Sequence, residues 1–182
     1  TRIDTKSYPF CEYTVREGAQ RRLEIFDRPD WLKGNSEHKK NQIRRRYMLV
    51  GQTLDSTRVM ELKQTLESLM DKPDISNRNL RVEANGTMAV NAIYAGLLVE
   101  GDDGPLETLS FHLSNLPASH MQGPDYLNVM KMTRLDESLA ALSRRFKVTV
   151  ENSPRTLQEF SAALVDTLGQ EASRLTWRNP NQ

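Results

Sequence analysis

The longest apolar run in the chain, Thr87 to Val99, lies between two turn signals, Asn85-Gly86 before it and Gly101-Asp102-Asp103-Gly104-Pro105 after it. An Asn-Gly pair supplies the positive φ angles of a two-residue hairpin turn, so Leu80 to Glu83 and Met88 to Val90 read as paired strands. Leu97 to Val99 and Leu106 to Leu113 follow as further strands, with Leu109, Phe111 and Leu113 on one face. Residues 79–113 therefore predict an antiparallel meander. Residues 87–99 are apolar nearly all round and also suit a buried helix capped by Thr87, but the flanking turns favour strand.

The same reading extends to the rest of the chain. Residues 1–7 show no periodicity and are expected as a loose arm. Tyr8 to Val15 and Arg22 to Phe26 alternate as two strands of a hairpin. Asp27 to Asn35 is loop, broken by Pro29 and Gly34. Ser36 opens a short polar helix to Arg46, and Tyr47 to Gly51 reads as a strand. A helix capped by Asp55 runs from Ser56 to about Met70, with Val59, Leu62, Leu66 and Leu69 as its apolar stripe and Lys63 with Glu67 as an outer pair. Ser114 to Asp125 is a long irregular loop and a candidate functional loop. Tyr126 to Met132 alternates as a strand. Thr133 and Asp136 cap a short helix carrying Leu135, Leu139 and Leu142. Phe146 to Val150 is a strand. Ser153-Pro154 opens a last helix with Leu157, Phe160, Leu164 and Leu168 buried, ending at Gly169. Residues 170–182 continue that helix or form a tail.

No internal repeat or heptad array is visible. Strands grouped together with helices interspersed predict a single α+β domain over residues 1–182, built on a mainly antiparallel sheet with three to four helices packed on one side.

Composition narrows the functional classes. The chain is 37% hydrophobic and 27% charged, ordinary for a globular protein. No apolar run approaches the roughly 18–20 residues that cross a bilayer. One cysteine, Cys11, precludes an intrachain disulfide, and no signal-like segment is present, so an intracellular location is expected, cytoplasmic or nuclear, including the periphery of a membrane. The net charge of +1 conceals an asymmetry: residues 1–50 hold 12 Lys and Arg against 7 Asp and Glu, a balance of +5, and the remainder, with 13 against 17, is −4.

Catalytic signatures are missing from the sequence: there is no GxSxG, Walker, GxGxxG, HExxH or CxxC motif. Cys11 with His112 or His120 is the one thiol-and-base pairing available to a small enzyme. Asp102-Asp103 and Asp136-Glu137 are the carboxylate pairs, each at a turn or helix start where acids belong on solvation grounds. Asn85-Gly86-Thr87 matches a glycosylation sequon that the turn already explains. No metal or cofactor is expected.

Partner binding is the remaining class. Lys39, Lys40, Arg44, Arg45 and Arg46, with Tyr47 next in line, suit several phosphates and a stacked base, or anionic lipid headgroups. Trp31 and Trp177 are candidate contacts for a protein partner. The expected function is thus a non-enzymatic, self-associating structural or accessory protein that engages nucleic acid or an anionic membrane through its basic segment. The second expectation is a protein-protein adaptor or regulator, and the third a thiol-dependent enzyme. In composition the chain resembles compact viral matrix and accessory proteins, with no family motif matched.

Overall fold

Seven strands form one sheet in the order in which they occur along the chain. β1 (Ile3–Ser7), β2 (Cys11–Arg16) and β3 (Arg21–Asp27) are antiparallel neighbours. β4 (Leu80–Asn85), β5 (Leu109–Ser114), β6 (Lys147–Glu151) and β7 (Leu175–Arg178) then add in parallel, each beside its predecessor and starting on β3. The computed structural model describes residues 3–7, 11–16, 21–27, 36–71, 80–100, 108–169 and 174–178. Among them are six α-helices: α1 (Glu37–Leu49), α2 (Leu54–Met70), α3 (Thr87–Leu98), α4 (Val129–Met132), α5 (Leu135–Arg145) and α6 (Arg155–Thr167).

The expected antiparallel α+β sheet is therefore corrected to five parallel strands with helical crossovers, an α/β arrangement. The reversal comes from one segment. Residues 87–98 are α3, so β4 and β5 are joined by a helix and run parallel instead of meeting in a hairpin. Gly86 does take a positive φ of 58°, as Asn-Gly predicts, but there it turns a strand into a helix. Tyr47 to Leu49 continue α1, and Tyr126 to Met132 form a turn and the single-turn α4, where strands were expected. Two terminal segments read as arm and tail contain β1 and β7. The expected hairpin of β2 and β3 is present, with Tyr13 opposite Ile25.

Helix starts also shift. Thr53 caps α2 through a reciprocal bond with Ser56, which leaves the Asp55 carboxylate for other partners. The α2 stripe Val59, Leu62, Leu66 and Leu69 is buried, and Lys63 pairs with Glu67 at 2.8 Å, both as the spacing predicts. In α6 the buried positions are Leu157, Ser161 and Val165, while Phe160 and Leu168 stay exposed; Phe160 lies under the Arg134 guanidinium at 5.0 Å.

With consecutive parallel strand order and the right-handed crossovers that are the rule, the crossover helices α2, α3, α5 and α6 fall on one face among the described residues. The helices follow the same order, α2 against α3, α3 against α5, α5 against α6. Outward and inward residues alternate strictly: Leu80, Val82 and Ala84 of β4, and Leu109, Phe111 and Leu113 of β5, are buried under the helices, and the residues between them are not. α3 sits at the centre with Ala89, Val90, Ala92, Ile93 and Ala95 all fully buried. Gly96 makes its close approach possible, because a Cβ there would lie 2.6 Å from Phe111 Cζ and 2.8 Å from Leu142 Cδ1.

A repeat invisible in the sequence appears in the turns. Gly86, Asn115 and Asn152 follow β4, β5 and β6 at equivalent register positions, and all have positive φ, 58°, 53° and 49°. Each donates its N–H to the last residue of the next strand: Gly86 to Ser114 O at 2.9 Å, Asn115 to Glu151 O at 3.0 Å and Asn152 to Arg178 O at 3.2 Å. The Asn152 side-chain amide also donates to Asn115 Oδ1. Asparagine is the non-glycine residue best suited to this backbone conformation.

Candidate surface at the carboxyl end of the sheet

α1 buries none of its thirteen residues. Its 100° step sorts the basic run into two sides. Lys40, Ile43, Arg44 and Tyr47 face the body and, with Asp55, Arg58 and other residues, line a cavity of about 440 Å³. There Lys40 pairs with Glu37 at 2.7 Å, and Arg44 reaches Asp125 Oδ2 through Nε at 2.7 Å and Nη2 at 2.6 Å. Burial, assisted by the Glu61 charge, pushes the Tyr47 phenol pKa upward. Lys39, Arg45 and Arg46 lie on the opposite side, exposed and without an ion pair among the described residues.

The basic run ends in apolar residues that face water: Leu49 is 85% exposed and Val50 70%. Across the Arg44–Asp125 bridge, the segment after β5 does the same with Met121 (80%), Met130 (62%) and Met132 (81%), joined by Leu127. With Met48 these make seven of the twelve large apolar side chains exposed among the described residues, concentrated in two segments that touch. Residues 36–50 and 115–134 together hold seven Lys and Arg against Glu37 and Asp125, a charge of +5 that leaves −4 for the remainder. The basic run was visible in the sequence. Met130 and Met132 were hidden by the alternation of Tyr126 to Met132, which imitates a half-buried strand although both methionines stay exposed.

Under this surface runs a buried polar network. Asp55 accepts from Arg58 Nη1 at 2.9 Å, Asn91 Nδ2 at 3.3 Å and the Asp125 N–H at 2.9 Å. Tyr126 donates to Asn91 Oδ1 and meets the Tyr94 ring edge-on at 5.0 Å. Tyr94 Oη lies 3.0 Å from both His120 Nε2 and Ser138 Oγ. Burial raises the pKa values of both tyrosines, Tyr126 well above the usual range. These groups anchor the 120–126 segment to α2, α3 and α5.

Burial lowers the His120 pKa, against a smaller upward pull from Asp136. The folded chain thus favours neutral His120, and below about pH 6.5 the unfolded chain takes up the proton first. Stability is expected to fall as pH drops through this window. In denaturation curves collected across it, His120→Gln should flatten part of the slope; an unaltered slope would show that other groups cause it.

The remaining candidates are placed as follows. Trp31 and the Asp102-Asp103 pair lie outside the described residues. Trp177 is half-buried on β7 and packs against the core. Cys11 begins β2, three strands from His112 on β5, a lateral separation of about 14 Å at the usual strand spacing. His112 instead meets Glu151 at 3.0 Å and His120 meets Tyr94, so the structure offers no thiol dyad with His112. Asp136 pairs with Arg134 at 3.1 Å, and the Glu137 carboxylate accepts the Arg134 N–H at 2.8 Å as a helix cap. Among the described residues no three His, Cys, Asp or Glu side chains converge as a metal site requires.

No family model, curated protein or solved structure matches the chain. Within the described residues no helix is long and apolar enough to cross a membrane.

Proposed function

We propose that the chain is an accessory protein that docks peripherally on an anionic lipid surface through α1 and the 115–134 segment, acting by binding and not by catalysis. The supporting observation is the coincidence, at one end of the sheet, of cations unpaired among the described residues with exposed apolar tips. Cations alone suit nucleic acid and headgroups equally. Leu49, Val50 and the three methionines favour lipid, because apolar side chains gain by entering the headgroup boundary and gain little from a phosphate backbone.

Flotation with vesicles tests the reading. Phosphatidylserine vesicles should retain the protein at low salt and release it at high salt, and phosphatidylcholine vesicles should not retain it. At about 1 kcal/mol per cation near such a surface, replacing Lys39, Arg45 and Arg46 with Ala should weaken binding by about a hundredfold. Leu49→Ser with Val50→Ser should weaken it further at any salt. These residues bury nothing, so circular dichroism should be unaltered. Unchanged retention of the triple variant would refute the proposal. Retention on RNA that survives the Leu49 and Val50 changes, with weak vesicle binding, would replace it with nucleic-acid recognition.

A further inference from the structure

α1 turns apolar residues toward the body without burying them there. Ile43, Tyr47 and Val50 stand at i, i+4 and i+7, one stripe along the helix. Lys40 and Arg44 run along one edge of that stripe, and Lys39 and Arg46 along the other. Ile43 and Tyr47 line the cavity of about 440 Å³ under the helix and stay half-buried, and Val50 is exposed. An apolar stripe bordered by cations is the pattern of a helix that lies in a membrane interface, where long basic side chains reach up to the headgroups.

The attachment of α1 to the body is correspondingly light. Arg44 ties it to Asp125, and both side chains are open enough to solvent for salt to screen the pair. Asp125 is fixed from behind, since its N–H donates to Asp55 Oδ2 at 2.9 Å. At the carboxyl end of α1, Gly51 leads on to α2 with a φ of 73°, and a Cβ there would meet nothing within 4 Å.

We propose that the Arg44–Asp125 bridge is a latch: on an anionic lipid surface Arg44 exchanges the carboxylate for a lipid phosphate, and α1 turns about Gly51 to lay Ile43, Tyr47 and Val50 into the headgroup boundary. The inference rests on the lipid-docking reading and adds a conformational step to it. Lys39, Arg45 and Arg46 make the first contact and bring Arg44 within reach of phosphates. The exchange replaces one charge-assisted pair with another of the same kind, so it costs little. Removing the stripe from water supplies the drive, because the cavity beneath α1 gives it little to pack against.

Spin labels at Gln42→Cys and Ala162→Cys, in a Cys11→Ser background of the full chain, read the distance from α1 to α6. That distance should change by about 10 Å, one helix diameter, on binding to phosphatidylserine vesicles. Asp125→Asn, which keeps the N–H bond to Asp55, should shift the distances toward the bound value without vesicles. It should also strengthen vesicle binding by more than Glu37→Gln, which removes the same charge and leaves the bridge in place. Ile43→Ser with Tyr47→Ser should weaken vesicle binding by about tenfold. Retention on vesicles at an unchanged distance, or equal gains from Asp125→Asn and Glu37→Gln, would overturn the latch and leave the docking reading standing. Failure of the labelled chain to bind the vesicles at all would remove both.

Discussion

Asp55→Ala is expected to destabilise the fold by about 3–5 kcal/mol, the usual cost of removing one partner from a buried ion pair. The Arg58 and Asp55 side chains are only 8% and 13% exposed. Without the carboxylate, Arg58 loses its 2.9 Å ion pair inside the protein, and the Asn91 amide and Asp125 N–H lose their acceptor together. Asp55→Leu with Arg58→Met should recover much of the loss, because both charges of the pair are then removed together. Urea denaturation of the three proteins gives the comparison. If Asp55→Ala costs under about 1 kcal/mol, the pair behaves as a solvent-screened surface bridge and the described burial is wrong.

Phe111→Ala should be comparably severe, about 3–5 kcal/mol, since the ring is buried at the junction of β5, α3 and α5 and packs edge-on against Phe146 at 5.2 Å. The informative experiment couples it to Gly96. Gly96→Ala alone should cost about 1–3 kcal/mol from overpacking, despite the better helix propensity of alanine, because the new methyl group meets the Phe111 ring and Leu142. In the Phe111→Ala background the same methyl group enters the space vacated by the ring. Gly96→Ala should then be neutral or stabilising, a coupling that a double-mutant cycle measures directly. Additive losses would show that the two positions do not touch.

Much of the secondary structure was legible in the sequence, and one misreading was enough to invert the topology. The α2 stripe, the β2–β3 hairpin and the strand around Val148 and Val150 all follow from periodicity. α3 does not, because a helix enclosed by the sheet beneath it and helices on both flanks has no polar face to produce a 3.6-residue period. Its twelve residues exceed the ordinary length of a strand, and length was the signal that could have decided against the turns. With that segment helical, the order becomes β-α-β-α-β and the parallel sheet follows. The α6 stripe failed for a smaller reason. Leucines at 157, 164 and 168 outweighed Ser161 and Val165, although burial at one helix face follows geometry before composition. At the candidate surface, the cations were legible as a run. Their division into inward and outward sets required knowing which side of α1 packs against the body, which the Arg44–Asp125 bridge shows.

The in-register turns at Gly86, Asn115 and Asn152 make the parallel half of the molecule modular. Each strand-and-helix unit meets its neighbours through the same backbone bond, a parallel strand ladder and helix-on-helix packing, so a copied unit spliced in at one of these turns would find matching partners on both sides. A gene lengthened by tandem duplication there should still encode a folded chain, with a wider sheet and an unaltered far end.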